Sequence, residues 1–139
     1  LKRYTYFGGS EALPGDIDPA SRFVRASAFL STSPLPSRPN QPLEIAYNLI
    51  KNVAVPDGAR VSSSITQSQD NWPTLWTTLA DSVNRVYYYQ SSRSPNLFWI
   101  DLSKVDFSAG AAIRSLPGDD ISLNGDVSTK LRPLPASRP

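Results

Sequence analysis

Apolar residues recur along this chain first with the period of helices and then with the shorter alternation of strands. Phe23, Ala26 and Leu30 stand at i, i+3 and i+7, which predicts a helix over Pro19 to Leu30 with one apolar face packed on a sheet. Asp18 is placed to cap it, and Pro19 suits the first helical position, where a missing N–H costs nothing. Pro34, Pro36, Pro39 and Pro42 then predict a stiff, extended connection over Ser33 to Gln41. With Asn40 as its cap, a second amphipathic helix carries Leu43, Ala46, Tyr47 and Ile50 on one side and runs to about Val53, again expected to cover a sheet.

Pro56-Asp57-Gly58 signals a turn, and the pattern beyond it changes. Thr74 to Ala80, Arg85 to Gln90 and Asn96 to Asp101 are β-branched and aromatic, and turns at Asp81–Asn84 and Ser91–Pro95 make them an antiparallel meander. Two weaker signals flank this core pattern: a strand ending at Gly8-Gly9 after Tyr4 and Tyr6, and an exposed loop or weak strand over Ser62 to Asp70. Beyond Leu116 the Pro, Ser, Asp and Gly content predicts loose order, with Leu131 to Pro139 a surface tail. The expected fold class is α+β, an antiparallel sheet with helices on one face, divided into a folded part over 1–116 and an extended tail over 117–139.

Composition narrows the chemistry. The 139 residues are 40% hydrophobic, a globular balance, and 14 basic against 12 acidic residues are scattered without a run. Neither nucleic acid nor membrane is suggested as a partner, since no apolar stretch approaches the ~20 residues that cross a bilayer. Cysteine, histidine and methionine are all absent. The first two are the commonest groups for nucleophilic and proton-transfer work. Without methionine Leu1 is not expected to be a translation start, so the chain reads as a piece of something longer.

The most informative block is Leu13-Pro14-Gly15-Asp16, read as a tight turn, followed by a helix start bearing Arg22 and Arg25. A guanidinium is a fixed cation with a fork of donors, suited to holding a thiolate, an oxyanion or a carboxylate. The alternative is an ordinary ion pair with Asp16 or Asp18. Asp120 to Asp126 partly fits a calcium loop, but Leu131 stands where a bidentate Glu is needed, so a hairpin turn at Asn124-Gly125 is the better account and no metal is expected. Tyr87, Tyr88 and Tyr89 alternate faces and read as packing.

Leu13-Pro14-Gly15-Asp16 with Ser21-Arg22-Phe23-Val24-Arg25-Ala26 resembles the choloylglycine hydrolase family of linear amide C–N hydrolases. The likeness continues through Ala46–Ile50, Val55–Gly58, Thr74–Thr78, Val86–Tyr89 and Ile100–Leu102. It implies the C-terminal part of an N-terminal-nucleophile αββα sandwich, in which a cysteine exposed by processing attacks an amide while its α-amine handles the proton. The cysteine and its supporting residues would lie on a complementary N-terminal chain. What carries over here is Arg22, placed near the nucleophile where a cation favours the thiolate, with Arg25 the runner-up. The resemblance further implies a small-molecule amide substrate such as a conjugated bile salt, penicillin V or an N-acyl homoserine lactone. It implies no cofactor, a homo-oligomeric intact enzyme, and a bacterial setting, periplasmic or cytoplasmic. The alternative is a non-catalytic α+β binding module derived from that fold.

Overall fold

The computed structural model describes residues 13–59 and 72–134. The readings at residues 1–12, 60–71 and 135–139 lie outside them. The chain forms two compact units that part between Pro73 and Thr74.

In the first unit α1 spans Pro19–Thr32 and α2 spans Gln41–Lys51, and the two helices pack on each other. Asp18 caps α1 as expected, its side chain accepting from the Ala20 and Ser21 amides. Asn40 occupies the cap position of α2 but makes no capping bond. Gln41, the first helical residue, instead ties down the chain before the helix: its Oε1 accepts from the Ser37 amide and hydroxyl and from the Arg38 amide, while Arg38 pairs with Glu44 at 2.9 Å. The amphipathic face of α2 is as expected, with Leu43, Ala46, Tyr47 and Ile50 half-buried. Burial raises the Tyr47 phenol pKa, and the Lys51 ammonium sits 4.3 Å from its ring centre.

The face assigned to α1 needs correction. Phe23 is 73% and Leu30 65% exposed, so the stripe expected to pack is open. Arg22, Arg25, Ala26 and Phe29, at i, i+3, i+4 and i+7, are half-buried, with Ser21 and Ala28 beside them. Arginine can lie on such a face because its methylene stem packs while its head finds carbonyls.

The second unit is built on the expected meander: β1 (Trp76–Asp81), β2 (Val86–Ser91) and β3 (Phe98–Asp101), with Thr78 opposite Tyr89 and Tyr89 opposite Phe98. The β1–β2 turn runs one residue further than expected. Asp81 holds it by accepting from the Val83 and Asn84 amides, and Arg85 closes it in the left-handed region at φ 57°.

Loose order beyond Leu116 is not what is found. After β4 (Arg114–Ser115) the chain runs to β5 (Gly125–Asp126), which pairs parallel with β3 through Phe98↔Gly125 and Trp99↔Asp126. Asn124-Gly125 is therefore the approach to a parallel strand and not a hairpin. The chain then reaches β6 (Arg132–Pro133), which pairs with β4. Phe98, Leu123 and Val127 form the buried core, with Tyr89, Ile100 and Leu116 against it. Thus the packing continues past residue 116. Among the described residues two helices and a mixed, mainly antiparallel sheet make the chain α+β. Among the described residues no helix is long and apolar enough to cross a membrane.

Candidate functional site

The Leu13–Ala26 block delivers both arginines to one side of α1, since three residues make roughly one helical turn. The stretch before the helix is irregular and not a tight turn. Among the described residues no backbone hydrogen bond closes across 13–17, and Gly15 does not take a positive φ. It is held from the helix. Arg25 Nη1 donates to the Pro14 carbonyl at 2.7 Å and to the Asp16 carbonyl at 2.6 Å. Arg22 Nε donates to the Val53 carbonyl at 2.9 Å, just past the end of α2. Its terminal nitrogens make no hydrogen bond among the described residues.

Nor is either arginine within salt-bridge distance of a carboxylate among the described residues. The ion-pair alternative with Asp16 or Asp18 is not what forms. The Asp16 carboxylate accepts from the Ile17 amide. Asp18 is held below the ordinary carboxylate range by hydrogen bonds from Ser21, then from the Ala20 amide, with the charge of Arg25 contributing least. The two arginines thus differ in state: Arg25 is engaged with backbone, while Arg22 is oriented at its Nε and open at its end.

A second polar constellation went unseen in the sequence. The Lys104 ammonium lies 2.6 Å from Asp126 and 3.6 Å from Asp101. Ser128, itself buried, donates its hydroxyl to Asp126 and accepts the Asp101 amide at 2.8 Å. Lys104 and Ser128 hold Asp126 far below the ordinary carboxylate range, and Asp126 in turn raises Lys104. Ser103 chiefly does the same for Asp101. Every member has a partner, and the pairs tie β3 to the stretch around β5, which marks the constellation as a clamp. Residues 101 to 128 are too far apart in the chain for spacing to have revealed it. The Asp120 carboxylate accepts from the Ser122 amide and hydroxyl, and no group of three or more His, Cys, Asp or Glu side chains that could hold a metal occurs among the described residues.

Known proteins supply the frame for these residues. The model of the linear amide C–N hydrolases, choloylglycine hydrolase family, matches residues 1–122. A penicillin V acylase of Pectobacterium atrosepticum is 30% identical over 91% of this chain, which spans 37% of that relative's length. The solved penicillin V acylase of Agrobacterium tumefaciens superposes with a TM-score of 0.76 at 28% identity, over 93% of this chain and 41% of the other. A variant of the conjugated bile acid hydrolase of Clostridium perfringens shares the fold at a TM-score of 0.53 and 23% identity, over 76% of this chain and 32% of the other. The α+β class is thus that of N-terminal-nucleophile hydrolases. The chain belongs to the choloylglycine hydrolase family of linear amide C–N hydrolases.

Proposed function

We propose that this chain is the C-terminal portion of a cysteine amidohydrolase and that Arg22 is its contribution to the active site. The observation that carries the assignment is the state of Arg22: its Nε is fixed on the Val53 carbonyl at 2.9 Å, which aims a guanidinium whose terminal nitrogens are free among the described residues. Such a cation beside a thiol favours the thiolate and later steadies the oxyanion formed on the amide carbonyl. In this reading the nucleophilic cysteine comes from the part of the protein that precedes this sequence. Its thiolate attacks the carbonyl carbon, the amine leaves with a proton carried by the cysteine's α-amine, and water hydrolyses the resulting thioester.

Two further observations support a missing complement. The chain spans well under half of the relatives it matches. Large apolar side chains such as Phe23, Leu30 and Leu35 are exposed, as expected where the rest of a domain packs. The relatives' names put penicillin V first among substrates and conjugated bile salts second, with N-acyl homoserine lactones a third linear amide of the same kind. The test is hydrolysis of these amides by the whole protein containing this sequence, followed by amine release. Arg22→Ala is expected to lower kcat/KM on the order of a hundredfold with folding retained. Unchanged turnover would remove Arg22 from the site, and a whole protein inert toward every amide would remove the activity.

A further inference from the structure

Arg25 spends its charge on backbone. A single nitrogen, Nη1, bridges two carbonyls that lie two residues apart, Pro14 at 2.7 Å and Asp16 at 2.6 Å. Little else holds that segment. Leu13, Gly15 and Asp16 are exposed, only Pro14 and Ile17 are half-buried, and the bond from the Ile17 amide to the Asp16 carboxylate is local to the segment itself. No carboxylate lies within salt-bridge distance of Arg25 among the described residues, so these two carbonyls are its direct partners and the Asp18 charge acts on it only from further off.

We infer that Arg25 is a positioning residue: its guanidinium fastens Pro14 to Asp16 along the side of α1 that carries Arg22, making that segment a fixed wall beside the Arg22 guanidinium. This rests on Arg22 being the active-site residue. The physical case is a division of labour between two arginines one turn apart. Hydrogen bonds from a charged donor are roughly twice as strong as neutral ones. The guanidinium also presents its donors in a rigid plane, which suits it to two carbonyls at once. Lysine in its place offers a shorter, more strongly hydrated point charge and would hold the segment less well. Arg25 touches neither nucleophile nor substrate in this arrangement, so its loss loosens the wall without altering the charge that the thiol senses most closely.

That distinction sets the experiment, made on the whole protein with penicillin V as substrate. Arg25→Ala is expected to speed exchange of the Ile17 amide, which among the described residues is the hydrogen-bonded amide of 13–17 and adjoins the clamped Asp16 carbonyl, by about tenfold. Peptides covering Phe98 to Val127 should stay unchanged. Its kcat/KM should fall on the order of tenfold through misplacement of the wall, while the thiol-controlled limb of the pH profile keeps its midpoint. Arg25→Lys should recover part of both losses, and it also judges the idea if the alanine variant does not fold. Arg22→Ala, by contrast, should move that limb upward, because the thiolate loses its cation. Unchanged exchange at the Ile17 amide would overturn the clamp. Faster exchange with unchanged kcat/KM, or a shifted midpoint in the Arg25 variants, would overturn the positioning role. If the wild-type protein hydrolyses no amide, the functional reading falls with its kinetic arm, and exchange still decides whether Arg25 holds the segment.

Discussion

Val127 and Val83 make a matched pair for testing whether the stretch after Leu116 belongs to the core. Val127 is 0% exposed and packs with Phe98 and Leu123, whereas Val83 is 87% exposed at the β1–β2 turn. Valine to alanine removes two methyl groups at either place. At Val127 the lost transfer energy is about 1.6 kcal/mol at ~0.8 kcal/mol per group. The unfilled space adds on the order of 1 kcal/mol, because the parallel β3–β5 pairing limits collapse around the site. Val127→Ala should therefore cost about 2–3 kcal/mol, and Val83→Ala should stay within about 0.5 kcal/mol. Urea unfolding followed by tryptophan fluorescence reads the difference, since Trp99 lies on β3 beside the affected core. With a typical slope of ~1–3 kcal/mol per molar urea, the Val127→Ala midpoint should fall by roughly 1–2 M. Equal midpoints for the two variants would refute the packing of this segment and restore the loosely ordered end.

Gly118→Ala should also destabilise, by about 1–3 kcal/mol, since its Cβ would land 2.9 Å from the Tyr89 hydroxyl and 3.1 Å from the ring. The Tyr89 ring, stacked on Phe98 at 5.1 Å, has little room to swing away; a neutral result in urea unfolding would contradict that packing. The Lys104 clamp predicts acid sensitivity of a defined sign. Asp126 is held below its unfolded value of 3.8, so its contribution is present above that pH and is lost as pH falls toward the depressed folded value. Lys104, raised above 10.5, keeps its share until the solution is more alkaline than that. Lys104→Met should lower stability at neutral pH and flatten the loss between neutral and about pH 3. Urea midpoints at the two pH values measure it, and an unaltered acid slope would show that Lys104 does not set the Asp126 ionisation.

Local signals were readable wherever the deciding interaction lies within a few residues. Asp18 before Pro19 specified its helix start through a bond to the Ala20 and Ser21 amides, all within one turn. The meander was legible because alternation and turn residues act between neighbours in the chain. Each failure has a physical cause. Phe23, Ala26 and Leu30 form a good apolar stripe, but a helix face is buried only where its partner is present, and among the described residues it is the arginine side of α1 that meets one, at the Val53 carbonyl. Asn40 is a good cap by type, yet its backbone is helical at φ −88° and ψ −6° instead of extended, and Pro42 two residues on has no N–H to donate. The stretch from Pro117 onward is poor in pattern because its order comes from β3 and the residue before it, 28 positions back in the chain, through the Gly125 and Val127 amides donating to the Leu97 and Trp99 carbonyls.

The α+β class, the helix start at Asp18, the three-stranded meander and the family are each written in local pattern or in a contiguous block around Ser21–Ala26. The tertiary structure alone decided that Arg25 is occupied by the Pro14 and Asp16 carbonyls while Arg22 keeps its terminal nitrogens free among the described residues. It also decided that the C-terminal stretch is a parallel strand bearing core residues. Two arginines three positions apart have the same chemistry and nearly the same helical address. Only the carbonyls that come within 3 Å of each, two from 11 and 9 residues upstream for Arg25 and one from 31 residues downstream for Arg22, can tell them apart.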